Sequence, residues 1–198
     1  GLPEIAGISR SRLNVAVSVS ALPIVRGLRE RFGTPYLIGY PIGEKAERAW
    51  SARAAALLRG EGAQPLFSPG PARPGPRALI LGEQVAAESL RTLLLGELGF
   101  GQVDVATYFT LDCQLARPED PKLVEEDDLA QLIREREPYD VILGDPLLRG
   151  LLPDPAVRYV ELPHTAISSR AFWNRSPNCL GEKGSRWFRE KLGDLAAK

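Results

Sequence analysis

Apolar residues fall along the chain in two alternating rhythms. Short β-branched or leucine-rich runs bounded by glycine, proline and polar residues predict strands, and stretches with an apolar position every three or four residues predict helices. The first run is Leu13-Asn14-Val15-Ala16-Val17-Ser18-Val19. A helix is expected over about 22–32, with Ile24, Leu28 and Phe32 as one apolar stripe and Gly33 where a terminating glycine belongs. Tyr36-Leu37-Ile38 predicts a second strand, and after Gly39-Tyr40-Pro41-Ile42-Gly43 an alanine-rich helix is expected over about 44–59. Between Ser68 and Pro76, four prolines and two glycines in nine residues exclude helix and central strand. This stiff stretch reads as a crossover between lobes rather than a flexible tether.

Beyond it the rhythm restarts. Arg77 to Leu81 reads as a strand, Gly82-Glu83-Gln84 as a turn, and 84–98 as a helix with Ala86, Leu90, Leu94 and Leu98 on one face. Val103 to Phe109 is the next expected strand. A helix over 125–137 opens on Glu125, Glu126, Asp127 and Asp128, which suit the positive end of its dipole. Val141-Ile142-Leu143, closed by Gly144-Asp145-Pro146, and Val157 to Leu162 are two further strands. A last helix over about 183–196 carries Trp187, Phe188, Leu192 and Leu195. Strands alternating with helices predict an α/β fold of two Rossmann-like lobes, each a doubly wound parallel sheet. The expected lobes are residues 1–72 and 73–165, and the segment 166–198 ends in a helix expected to pack back across them.

Composition adds limits. Lys+Arg and Asp+Glu are equal at 25 each, so the 198-residue chain lacks the basic excess of a general nucleic-acid binder. Arg117 to Asp145 holds four basic against ten acidic residues, and Ala166 to Lys198 seven against three. These segments read as facing each other, or the basic one as meeting an anionic partner, the blander reading being preferred. No apolar run approaches the ~18 residues that span a bilayer, and no signal peptide opens the chain, so the expected location is cytoplasmic. The chain has no methionine and reads as a processed product or an excised fragment.

Ligands of such folds bind outside the carboxyl ends of the strands. That rule selects the loops holding Ser18, Gly39, Gly43, Gly82, Glu83, Asp145 and His164 as pocket-lining candidates. Ser18 and His164, the sole histidine, offer a hydroxyl and an imidazole for hydrogen bonding or proton transfer. Each has a plainer reading. His164 and Asp145 suit turns and caps, and Gly39 and Gly43 suit a tight turn. No dinucleotide or P-loop glycine fingerprint follows any strand, and no nucleophile elbow exists. The two cysteines, Cys113 and Cys179, form no Cys-x-x-Cys pair. They are the available thiolate donors and fall short of a four-cysteine cluster, so the chain alone is expected to bind no iron–sulfur cluster or metal.

Several segments taken in order carry a resemblance. Leu13-Asn14-Val15-Ala16-Val17-Ser18, then Arg31-Phe32-Gly33-Thr34-Pro35-Tyr36, then Pro41-Ile42-Gly43, resemble the nitrogenase component 1 superfamily. Leu79-Ile80-Leu81-Gly82-Glu83 and Val141-Ile142-Leu143-Gly144-Asp145-Pro146 are similar to its later domain. The superfamily includes nitrogenase α and β subunits, their cofactor-assembly homologues and the dark-operative protochlorophyllide reductase subunits. The resemblance covers most of residues 13–165 and rests on order and spacing. It implies an oxidoreductase subunit of three Rossmann-like domains, of which this chain is similar to the second and third. It also implies a homologous partner subunit in a hetero- or homo-oligomer, and electrons from an ATP-dependent iron–sulfur reductase. An iron–sulfur cluster or metallocofactor is then expected in the full-length complex, held largely by cysteines of the first domain. In catalytic α subunits a cysteine near the end of the first strand holds the metallocofactor. The matching position here is Ser18, a poor iron ligand beside thiolate, and His164 sits in a different local sequence from the family's late cofactor histidine. The competing expectation is a two-lobed module that binds a small ligand without catalysis.

Overall fold

The computed structural model describes residues 7–62, 74–136, 138–168, 172 and 177–196. In chain order the elements are β1 (Asn14–Ala16), α1 (Leu22–Phe32), β2 (Tyr36–Ile38), α2 (Glu44–Leu58), β3 (Arg77–Leu81), α3 (Gln84–Gly96), β4 (Gln102–Ala106), α4 (Glu126–Arg136), β5 (Val141–Gly144), β6 (Tyr159–Glu161) and α5 (Gly181–Leu192). β1 and β2 pair in parallel. The other four strands form a parallel sheet in the order β4-β3-β5-β6. The chain is therefore an α/β protein of two Rossmann-like lobes.

The central strands β3 and β5 are continuous apolar runs because both of their faces are covered. Ala78, Ile80, Val141 and Leu143 face α3 and α5 in one core, and Leu79, Leu81 and Ile142 face α4 in another. Phe188 and Leu192 of α5 have no solvent exposure and complete the first core. The same end of the chain touches the smaller lobe. The Gly181 N–H donates to the Pro41 carbonyl at 3.0 Å, and the Glu44 N–H donates to Ser185 Oγ at 2.8 Å. Gly43 has φ +88°, and a Cβ there would lie 2.3 Å from a Leu93 methyl. Only glycine lets this loop approach α3 so closely.

Several sequence expectations need adjustment. The first strand stops at Ala16, because Ser18 caps a short 3-10 helix at Val19–Ala21. The strand expected over Val103–Phe109 ends at Ala106. The Thr107 N–H turns instead to the Pro121 carbonyl at 3.2 Å. In α1 the buried positions are Leu22, Val25 and Leu28, while Ile24 is 57% and Phe32 49% exposed. A strict spacing of four drifts roughly 40° round a helix per step, so Ile24-Leu28-Phe32 cannot all face one sheet. α3 is buried nearly all round rather than along one stripe, since the sheet, the smaller lobe and the 117–123 segment enclose it. The 72/73 lobe boundary and most of the Ser68–Pro76 crossover lie outside the described residues. No described helix is long and apolar enough to cross a membrane.

Candidate functional site

From β3 the chain moves to β4 on one side of the sheet and then returns to β5 on the other. The crevice outside the carboxyl ends of β3 and β5 is therefore the topological switch point, where doubly wound sheets bind ligands. Glu83 follows β3 and Asp145 follows β5, so two carboxylates stand at this crevice. Glu83 is 7% exposed. Its Oε2 accepts the Ala86 N–H at 3.1 Å, capping α3. Its Oε1 accepts the Val19 N–H at 2.7 Å, so the 3-10 helix of the smaller lobe docks on the switch point. Asp145 is 1% exposed. Its Oδ1 accepts the Leu147 N–H at 3.0 Å, capping the 3-10 helix Pro146–Leu151. Its Oδ2 accepts the His164 N–H at 2.8 Å and the Ser168 hydroxyl.

His164 lies beyond β6, half-buried, with Phe109 against its ring at 4.7 Å between centroids. Its Nδ1 accepts the Ala166 N–H at 3.2 Å. That hydrogen bond assigns the proton of the neutral ring to Nε2, leaving an N–H donor. The loop bearing Phe109 continues to Asp112, which takes both terminal nitrogens of Arg26 at 2.6 and 3.1 Å. Gln84 braces the same turn, accepting the Asp112 N–H at 2.8 Å and donating to its carbonyl at 3.1 Å. The Arg26 guanidinium holds the Asp112 carboxyl below the usual carboxylate range.

Ser18 is a cap: its hydroxyl accepts the Ser20 N–H at 3.3 Å and bonds the Ser20 hydroxyl at 2.8 Å. The Gly39 N–H extends the β1–β2 ladder to the Ala16 carbonyl at 2.9 Å. Tyr40 spans the lobes, its N–H on Ser89 Oγ at 2.9 Å. Burial, and then the Glu83 charge, push its phenol up. The structure thus joins the Ser18 turn to Gly82-Glu83 directly. It joins Asp145 to His164, and the 107–116 loop runs between the two pairs. Gly43 stands apart, beside Leu93 and Ser185, about 15 Å along α3 from Glu83.

Cys113 is exposed and Cys179 is half-buried. Burial pushes the Cys179 thiol up to about 11, so it is a protonated thiol at neutral pH and a poor metal ligand as it stands. The two sit on separate segments, one in the 107–116 loop and the other beside the start of α5. No group of three or more His, Cys, Asp or Glu among the described residues is arranged to hold a metal ion. With the Ser18 hydroxyl engaged in a cap as well, this donor set does not fit an iron–sulfur cluster or metallocofactor.

Sequence reasoning missed the Arg26–Asp112 pair that ties this region together, and the buried Glu88, Arg91 and Asp120 behind it. Arg26 gave no signal, because its partner lies 86 positions away. Glu88 and Arg91 have the i,i+3 spacing of an ordinary solvated helix pair. The cavities lined by Ile133 and Val157, by Arg158 and Lys191, and by Arg77 and Arg136 lie elsewhere and include none of Ser18, Gly39, Gly43, Gly82, Glu83, Asp145 or His164.

No protein-family model matches the chain, and no curated protein matches it in sequence. Its architecture does have solved counterparts. The likeness is one of fold. One counterpart is the structure described as "Nitrogenase Cp1 at pH 6.5", which superimposes with a TM-score of 0.62 over 95% of this chain at 14% sequence identity. The chain spans 46% of the length of that counterpart.

Proposed function

We propose that this chain is part of a nitrogenase component 1-like oxidoreductase subunit. The supporting observation is the fold likeness, which runs through 95% of the chain. The motifs that carried the sequence resemblance lie at β1, the α1–β2 turn, the β2–α2 loop, and the ends of β3 and β5. In this reading the subunit works in the cytoplasm with a homologous subunit, identical or not, and receives electrons from an ATP-dependent iron–sulfur reductase. The donor set of this chain does not fit a cluster, so the redox centre is held by the partner or by other parts of a longer polypeptide. The role of these residues is scaffolding and polar lining. Glu83 and Asp145 fix the turns at the switch point, and the His164 ring lies against Phe109.

The test is anaerobic. The full polypeptide containing this chain, with its homologous partner, is mixed with the reductase, and oxidation of the reductase is followed with and without MgATP. ATP-dependent oxidation that requires the complex is expected; equal rates in both conditions would contradict the reading. The rival reading, a two-lobed ligand clamp, draws no support from the interface. A clamp needs lobes that part, and here Glu83–Val19, Arg26–Asp112 and Tyr40–Ser89 hold them together at the carboxyl edge.

A further inference from the structure

Three ionisable side chains lie sealed inside the larger lobe, away from the switch point. Glu88 and Arg91 on α3 are each 1% exposed, and Asp120, from the segment between β4 and α4, is 6% exposed. One terminal nitrogen of Arg91 donates to Glu88 Oε1 at 2.8 Å, and the other donates to Asp120 Oδ1. Two carboxyls therefore share one guanidinium. With both ionised, the site carries a net buried negative charge, which low-dielectric surroundings oppose. The arrangement is balanced when one carboxyl keeps its proton.

Asp120 also fastens a strap. β4 is an edge strand, and the Val105 N–H points away from β3 to Asp120 Oδ1 at 3.3 Å. Asp120 Oδ2 accepts the Arg117 N–H at 3.4 Å. Just beyond, the Leu123 N–H donates to the Thr107 carbonyl at 2.7 Å. The segment 117–123 thus closes the open edge of the sheet, as edge strands require. It continues directly from the loop that sets Phe109 on His164 and Asp112 on Arg26.

We propose that Glu88 and Asp120, sharing Arg91, form a proton-gated latch that holds the 107–123 loop over the carboxyl edge of the four-stranded sheet. With one proton in the site the strap is fastened. When that proton leaves, repulsion between the two carboxylates loosens Asp120 from Val105 and frees the loop toward the candidate site. The charged groups facing Glu88 are Arg91 on its own helix and Arg117 and Asp120 on the strap. Burial, the largest influence, lifts the Glu88 carboxyl to about 7 against the pull of the two arginines. A carboxyl raised in the folded state stabilises fully below its ordinary range and loses that contribution as pH rises through the folded value. The latch is therefore tightest in acid and loses its proton-linked hold as pH rises to about 7. It does not depend on the redox reading, and its test involves no electron transfer.

The test is hydrogen exchange of the intact chain from pH 5.5 to 8.5, corrected for intrinsic exchange and read over residues 105–123. Protection there should fall on the order of tenfold for each pH unit as pH rises toward about 7, the slope of one released proton, and should level off above 7. Glu88→Gln, which mimics the protonated side chain, should abolish that slope while leaving protection high. A carboxyl-carbon NMR titration of wild-type Glu88 gives a second readout that needs no variant, with a midpoint near 7 expected. Protection over 105–123 that does not change with pH, an equal slope in Glu88→Gln, or a Glu88 midpoint in the ordinary carboxylate range would each overturn the proposal.

Discussion

In the larger lobe, α3 and α5 cover one face of a four-stranded sheet and α4 covers the other, leaving Leu79, Ile80, Ile142 and Leu143 at most 2% exposed. In the smaller lobe, two strands of three residues share a core of Ala16, Val19, Leu22 and Val25, and that core is completed by Val85, which belongs to α3. Val15 and Val17 stay 39% and 42% exposed. A two-stranded sheet is marginal by itself. The difference teaches that the larger lobe is a self-sufficient folding unit, whereas the smaller one persists by docking its 3-10 helix onto the larger lobe's switch point. The carboxylate at that point, Glu83, is engaged by the Val19 N–H rather than left free for a ligand.

This contrast can be broken by substitution. Phe188→Ala removes the largest fully buried α5 side chain from the main core and should cost about 3–5 kcal/mol. It should lower the melting temperature of both lobes together, because the smaller cannot outlast the larger. Leu22→Ala should cost about 2–4 kcal/mol, but its effect should be local: faster hydrogen exchange in β1 and β2 with β3 and β5 unchanged. Glu83→Gln removes the charge that caps α3 and grips Val19, at roughly 1–3 kcal/mol, and should again loosen the smaller lobe first.

The smallest expected effect is at the rim. Arg26→Ala should cost less than about 1 kcal/mol, since the pair is partly solvated. Its pH dependence sharpens the comparison. The Asp112 carboxyl lies below its ordinary range because of Arg26, so the pair stabilises at neutral pH and that contribution is lost as pH falls through the lowered value. The stability gap between wild type and Arg26→Ala, from denaturant melts, should be full at pH 7 and vanish in strong acid.

The larger lobe was legible in the sequence because its strands are unbroken apolar runs, as Leu79-Ile80-Leu81 and Val141-Ile142-Leu143 show, and because Glu83 and Asp145 follow them in a parallel order that fixes the edge. Trp187, Phe188 and Leu192 likewise announced an amphipathic last helix. The α1 face was misread because Ile24, Leu28 and Phe32 recur every four residues, a spacing that drifts off the buried side held by Leu22, Val25 and Leu28. The role of Glu83 as an inter-lobe acceptor was not legible, since Val19 lies 64 positions away and a backbone N–H leaves no trace in composition. The buried triad stayed hidden for a related reason. Burial of Glu88 and Arg91 depends on the later 117–123 strap covering a helix face that local sequence reads as solvated.

The central claim is that the switch point is a docked interface on which the smaller lobe depends. Native-state hydrogen exchange on the intact chain tests it most directly, comparing the amides of Val19, Leu37 and Gly39 with those of Ile80 and Leu143 as denaturant is raised. The account expects the first set to open together at a lower free energy than the second, and Glu83→Gln to lower the first set alone. Equal protection in the two sets, moving in step in Glu83→Gln, would contradict it.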